Sequence, residues 1–251
     1  RCTGCEVSRN RCDWCVRGYS HGVYARGQDS AGILAFEQCS DNLFAFNSAT
    51  HSGDGFFLYA GHETTQRTGK GGSNRNRVVR NDFSQAVANG IEATFSEGNE
   101  FVGNRLDECD HGVWAGYSYR TRIEGNTMAR CANGISIEHG HDNRIERNVI
   151  EDCAIGVHLW WDEDKDLTSG VYGKNQDTSS SRNVVTGNWI LGGRRPHLLE
   201  GDEDSKVEGN VVVTKDSPQI AGPRPSTPLD ASLRVRGKQD AFLPAGAPRG
   251  R

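Results

Sequence analysis

The sequence predicts an all-β solenoid, a right-handed parallel β-helix of about eight rungs with a period near 22 residues. Three observations predict it. Asparagine returns in register at Asn47, Asn81, Asn104, Asn126, Asn148, Asn188 and Asn210, in steps of 34, 23, 22, 22, 40 and 22 residues. Apolar residues hold fixed offsets from it: Phe44, Val78, Phe101, Ile123, Ile145, Val185 and Val207 three before, and Phe83, Leu106, Met128, Ile150, Ile190 and Val212 two after. A glycine then opens a short strand, as in Gly55-Phe56, Gly90-Ile91, Gly112-Val113, Gly134-Ile135 and Gly156-Val157. Short apolar bursts alternating at every second residue are strands, and the Asn, Gly and Asp between them are tight turns. No segment repeats apolar residues three and four apart, so helical repeats are excluded.

Each unit accommodates three short strands and three turns. The first strand follows a polar residue five before the asparagine (Asn42, Asn76, Asn99, Thr121, Asn143, Asn183, Ser205), and its central apolar residue points inward. Val7 extends that column into a first rung built around Asn10. Stacked asparagines satisfy one another and the turn backbone, so their columns are structural. The repeat occupies residues 1–213. Residues 214–251 hold six of the seven prolines and read as a linker or the start of a further domain. The chain opens inside a repeat, at Arg1-Cys2, without a signal segment, and reads as a piece of a longer protein.

The stretches "NEFVGNRLDECDHGVWAG", "TRIEGNTMARCANGISIEHG" and "NRIERNVIEDCAIGVHLWW" resemble the parallel β-helix repeats of pectate lyases, polygalacturonases, alginate epimerases and periplasmic copper-processing accessory proteins. The resemblance covers roughly residues 5 to 213. It implies a carbohydrate-active protein of a secreted or periplasmic location, with a polysaccharide or oligosaccharide as partner. Neither the Asp-Pro-His-Asp run of the epimerases nor the paired aspartate motifs of the polygalacturonases is present.

Composition agrees with a turn-rich fold: 31 glycines and one methionine in 251 residues. The net charge of −4 gives no basic patch for nucleic acid, and no apolar run is long enough for a membrane span. Phosphate loops, nucleophile elbows and nicotinamide fingerprints are absent. Cys2, Cys5, Cys12 and Cys15 have a spacing that suggests zinc. Register argues against it, because Cys12 and Cys15 fall at positions expected in the core, where cysteine is a small hydrophobe. Cys109, Cys131 and Cys153 share the position of Cys15, and are expected to stack as a buried column of reduced thiols.

Three inserts interrupt the period. Residues 61–73 and 162–180 leave at the same register, just past the glycine-led strand, and residues 16–30 enter just before one. Long irregular loops in a compact fold are commonly functional. The first two are expected to be the walls of a cleft over residues 90–160. Alternation along the glycine-led strands then supplies its floor: Phe57 and Tyr59, Glu92 and Thr94, Trp114 and Gly116, Ser136 and Glu138, His158 and Trp160, continued at the turn by Tyr117, His139 and Trp161. Flat aromatic faces beside carboxylates suit sugar rings, so Tyr59, Trp114, Tyr117, Trp160 and Trp161 are candidate substrate-binding residues.

Glu92, Glu138 and Asp162 are the candidate catalytic carboxylates, with Glu163 and Asp164 beside them. Glu92 and Glu138 stand two rungs apart, about 9.6 Å along the axis, near the upper end of what inverting glycosidases use. An aromatic neighbour would raise one carboxyl's pKa, the condition for a general acid. The alternative within enzymes is a polysaccharide lyase or uronate epimerase. There Tyr117, His139 or His158 would be the base, and Arg120, Arg122 or Lys70 would counter the substrate's carboxylate. A non-catalytic glycan-binding or structural module is the alternative outside enzymes. No metal or cofactor is assigned, although the turn "IEHGHDN" (Glu138, His139, His141, Asp142) offers ligand types for a divalent cation.

Overall fold

The computed structural model describes residues 1–18, 22–23, 25 and 27–214. The expectation of a linker or further domain over 214–251 therefore lies, beyond residue 214, outside the described residues. The chain is an all-β parallel solenoid, and its strands stack in chain order into three main sheets.

The first sheet has eight strands, centred on Val7, Phe44, Val78, Phe101, Ile123, Ile145, Val185 and Val207. These residues pair one on the next as the register requires, and from Phe44 to Val185 all are buried. A second sheet of four strands stacks Met128, Ile150, Ile190 and Val212. The third has seven longer strands, from Ala31–Phe36 and Asp54–Tyr59, through Asn89–Glu97, His111–Tyr119 and Asn133–Glu138, to Ile155–Trp160 and Arg195–Glu200. Phe56, Ile91, Val113, Ile135 and Val157 line its inner face.

The glycine that opens each strand of the third sheet is required by packing. A Cβ on Gly134 would lie 2.5 Å from the Gly156 carbonyl and 2.8 Å from Ile150 Cγ2. Gly55, Gly90, Gly112 and Gly156 meet Phe83, Leu106, Met128 and Ile190 in the same way. Each glycine thus gives its space to the second apolar column where the next rung stacks on it.

The asparagine column is an unbroken ladder. Nδ2 of Asn10 donates to Oδ1 of Asn47 at 3.0 Å, and the same bond continues through Asn81, Asn104, Asn126, Asn148 and Asn188 to Asn210. Each Oδ1 also accepts the backbone N–H of the asparagine one rung earlier, and each Nδ2 also reaches a strand carbonyl, as Asn126 does at Phe101 O. Every polar group at this buried corner therefore has a partner. The parallel column Asn42–Asn76–Asn99 breaks at Thr121, which offers no amide, and Asn99 Nδ2 has no partner among the described residues.

Cys109, Cys131 and Cys153 are buried in the core as free thiols. Cys12 packs against that core, but Cys15 is exposed, contrary to expectation. Its rung is the first described one and is stacked on one side only.

The inserts fold into helices: α1 (His62–Thr68) in the first, α2 (Lys165–Thr168) and α3 (Val171–Asn175) in the second. They do not stand apart as two walls. Gln176 Nε2 donates to Gly69 O at 3.2 Å, and α1 packs on α3. From α3 the fully buried Tyr172 drops onto Phe95, Tyr117 and Tyr119, its hydroxyl 3.0 Å from that of Tyr119. The apolar cluster under the helices fixes both inserts over one end of the third sheet.

Candidate active site

Alternation along the third sheet sends two rows of side chains outward, and the pairing register names them. One row runs Leu34, Phe57, Glu92, Trp114, Ser136, His158, Leu198. The other runs Phe36, Tyr59, Thr94, Gly116, Glu138, Trp160, Glu200. These are the outward pairs expected from the sequence. The register also corrects one distance, because Glu138 lies one row further along its strand than Glu92. Their backbones are thus separated diagonally, by roughly 12 Å rather than 9.6 Å.

A cavity of about 590 Å³ opens over both rows. Phe36, Phe57, Tyr59 and Trp114 give it aromatic surface, Glu92 and Glu138 face it, and Asp164 and Leu167 close one side. Asp29 closes the other. The walls are therefore the second and third inserts, while the first supports the second. The cavity lies over residues 29–138 of the sheet, nearer the N-terminus than the expected 90–160. Trp114 lies across the bare Cα of Gly116: a Cβ there would be 3.3 Å from the indole and 3.7 Å from Glu138 Oε2. An alanine at Gly116 would push the indole by a few tenths of an ångström, and a larger side chain would displace it.

Glu92 sits in an acidic, largely desolvated corner. Asn89 Nδ2 donates to Glu92 Oε2 at 2.8 Å and to Asp54 Oδ1 at 2.9 Å, so one amide bridges two carboxyls. Burial, then repulsion from Asp54, pushes the Glu92 pKa up to about 8. Burial raises Asp54 to about 6 against the bonds from Asn89. The Glu138 carboxyl is also raised, by burial first and then by Asp162 and Asp164. Thr94 lines the cavity with a buried hydroxyl that has no hydrogen-bond partner among the described residues.

Of the other candidates, Tyr59, Trp114 and Tyr117 line the cavity, and the Tyr117 hydroxyl donates to Asp164 Oδ2 at 3.1 Å. Tyr117 is itself almost wholly buried, between Phe95 and His139. His139 is fully buried and does not line the cavity. It is stacked on Tyr117 and tilted against Trp161 in a left-handed turn (φ 48°), with both ring nitrogens engaged. His158 lies one strand beyond the cavity, stacked on Trp160 at 4.3 Å and bonded to Glu200 at 2.9 Å. Trp160, Trp161 and Asp162 are outside the cavity too, Trp161 and Asp162 being exposed. Arg120 is paired with Glu97, Arg122 lies on the first sheet, and Lys70 borders a separate small pocket. None of the three lines the main cavity.

Sequence reasoning missed Asp54 and Asn89, the groups that set the state of Glu92. A signal existed: the residue before the strand-opening glycine is polar in four consecutive rungs, Asp54, Asn89, His111 and Asn133, between Ala31 and Ile155.

Comparison with known proteins adds the following. Two solved structures resemble the fold at 15% identity, the A-modules of the Azotobacter vinelandii mannuronan C-5 epimerases AlgE4 and AlgE6, each with a TM-score of 0.48. The matches cover 76% and 74% of this chain, and the chain spans only 57% and 55% of theirs. No curated protein sequence matches. The family model described as "Periplasmic copper-binding protein (NosD)" matches residues 29–172, more than half of the chain and all of the cavity floor. The chain belongs to the NosD family.

Proposed function

We propose that the cavity is a glycan cleft in which Glu92 and Glu138 hydrolyse a glycosidic bond. The observation that carries the reading is the joint placement of two outward carboxyls on an aromatic floor, with the Trp114 indole lying between them. Burial keeps Glu92 protonated at neutral pH, so it can donate its proton to the departing glycosidic oxygen. Glu138, as carboxylate, takes a proton from a water whose oxygen bonds to the anomeric carbon as the old C–O bond breaks. Inversion uses carboxyls roughly 6.5–9.5 Å apart, which the two side chains reach only by leaning toward each other across the backbone diagonal of roughly 12 Å, and retention, at about 5–5.5 Å, needs a closer approach still. Trp114, Tyr59 and Phe57 would stack on sugar faces, and the free Thr94 hydroxyl offers a hydrogen bond.

Electrostatics favour a neutral glycan. Among the described residues no lysine or arginine lines the cavity, and five of its borders and neighbours (Asp29, Asp54, Glu92, Glu138, Asp164) are acids. A lyase or epimerase acting on uronates needs positive charge there. The family description supports a periplasmic or secreted location. It also names copper, and one group of side chains fits that metal by donor type: Glu138, His139 and Asp162, whose ligand atoms lie within 4.8 Å of one another.

Incubation with a panel of neutral and uronic polysaccharides tests the reading. New reducing ends without an unsaturated, ultraviolet-absorbing product are expected. Glu92→Gln and Glu138→Gln should each lower the rate by about 100- to 10,000-fold. An unsaturated product, or turnover that survives both substitutions, would refute it.

A further inference from the structure

We propose that Glu138, His139 and Asp162 form a divalent-cation site at the edge of the cleft, of the nitrogen-and-oxygen class that takes Zn2+ or Cu2+. The site stands on its own geometry and does not depend on glycan hydrolysis.

Both ring nitrogens of His139 are engaged. Its Nδ1 lies 3.0 Å from the backbone carbonyl of Thr178. A carbonyl oxygen only accepts, so Nδ1 carries hydrogen and donates. In the neutral imidazole Nε2 then holds a lone pair, and the backbone N–H of Asp162 points toward it at 3.4 Å, as toward an acceptor. Yet Asp162 Oδ1 also lies 2.9 Å from Nε2. Two lone pairs do not approach this closely without a positive charge between them. It is a proton, on the ring or on the carboxyl, or a metal ion.

Three further features favour the metal. A histidine whose other ring N–H is fixed by a backbone carbonyl is the usual arrangement around bound metals, because it sets the tautomer and the ring orientation. Here the fully buried ring is also held between Tyr117 and Trp161, so Nε2 has a fixed direction. Glu138 adds a third donor within 4.8 Å of the other two. A cation with ligands at about 2.1 Å holds its donors roughly 3 to 4 Å apart, so only small side-chain movements are needed. The Asp162 side chain is 62% exposed and can make them.

The donor set also decides which ions suit the site. One imidazole with two carboxylates fits borderline ions such as Zn2+ and Cu2+, whereas Ca2+ and Mg2+ prefer oxygen alone. The site joins the second insert, through Asp162, to the third sheet, through Glu138 and His139. Because Glu138 is shared with the cleft, a bound ion and a glycan would compete for one carboxylate.

Titration calorimetry on tag-free, chelator-dialysed protein with alkylated accessible thiols tests the site. ZnCl2 and CuCl2 should each bind at one ion per chain, while CaCl2 and MgCl2 should not. With Cu2+, electron paramagnetic resonance should show coupling to a single imidazole nitrogen. Asp162→Asn, at an exposed position, should weaken binding by at least the roughly 10- to 100-fold that lost metal contacts cost. Glu138→Gln should do the same. The measurement needs no glycan, so its outcome is separate from that of the hydrolysis assay. The proposal is overturned by absence of stoichiometric binding, by binding that Asp162→Asn leaves unchanged, or by a nitrogen NMR signature of a doubly protonated His139 in the presence of excess Zn2+.

Discussion

Replacing Glu92 by glutamine should remove a pH dependence from the stability of the whole domain. Glu92 faces Asn89 at the start of its own strand, Asp54 at the start of the neighbouring strand, and Asp29 from the third insert. Burial and the Asp54 charge raise its pKa from the ordinary 4.5 to about 8. At about 1.4 kcal/mol per pH unit, ionising Glu92 in the folded protein costs on the order of 4 to 5 kcal/mol more than in the unfolded chain. The sign follows from proton counts. Between pH 4.5 and about 8 the folded state holds a proton that the unfolded state has lost. Stability is therefore fully present below pH 4.5 and falls as pH rises through about 8. Asp54, raised to about 6, falls inside the same window and supplies part of the repulsion, so the two contributions overlap rather than add.

Urea denaturation followed by tryptophan fluorescence at intervals from pH 5 to pH 9 measures this. The wild type should lose roughly 4 kcal/mol across the range relative to Glu92→Gln, whose amide keeps the shape and can accept the Asn89 bond. The variant should be the more stable protein at pH 9 and the two nearly equal at pH 5. Parallel curves for the two proteins would mean that Glu92 is ionised in the folded state, and the general-acid assignment would lose its basis.

Other outcomes follow from the packing. Asn126→Ala removes bonds to Phe101 O and Asn148 and strips partners from Asn104, leaving buried polar groups unpaired; it should cost about 3 kcal/mol or more in denaturation experiments. Gly134→Ala places a methyl group against the Gly156 carbonyl and Ile150, and should destabilise by roughly 1–3 kcal/mol or block folding, as read from the yield of soluble protein and its melting point. Gly116→Leu should displace the Trp114 indole and abolish glycan retention on an affinity gel while leaving the melting point nearly unchanged. Alkylation followed by mass analysis should find Cys109, Cys131 and Cys153 free but protected until the protein is denatured.

The parts of the fold that were legible in the sequence are those fixed by a single rung. An inward residue such as Ile123 is inward because its own strand alternates, and its partners Phe101 and Ile145 share its offset by repetition. The same reasoning named both outward rows. It failed on the diagonal between Glu92 and Glu138, where position along the strand had to be combined with position across strands. It failed again at Cys15, since a repeat position describes an interior rung and the first described rung has a neighbour on one side only.

The site was less legible because its boundaries are set by the inserts, which obey no period. Nothing in residues 61–73 and 162–180 taken separately says that Gln176 reaches Gly69, or that Tyr172 lands on Tyr119. That docking assigns different fates to chemically similar outward residues. His139 is sealed beside the helices and Tyr117 keeps only an edge on the cavity, whereas Trp114 and Glu92 are left facing it. A histidine chosen from sequence as a solvent-facing base thereby becomes a buried, oriented imidazole. Burial among the strand starts raises Glu92, and the second insert brings Asp162 to His139. The repeats supply the rows, and the inserts select which members of those rows can do chemistry.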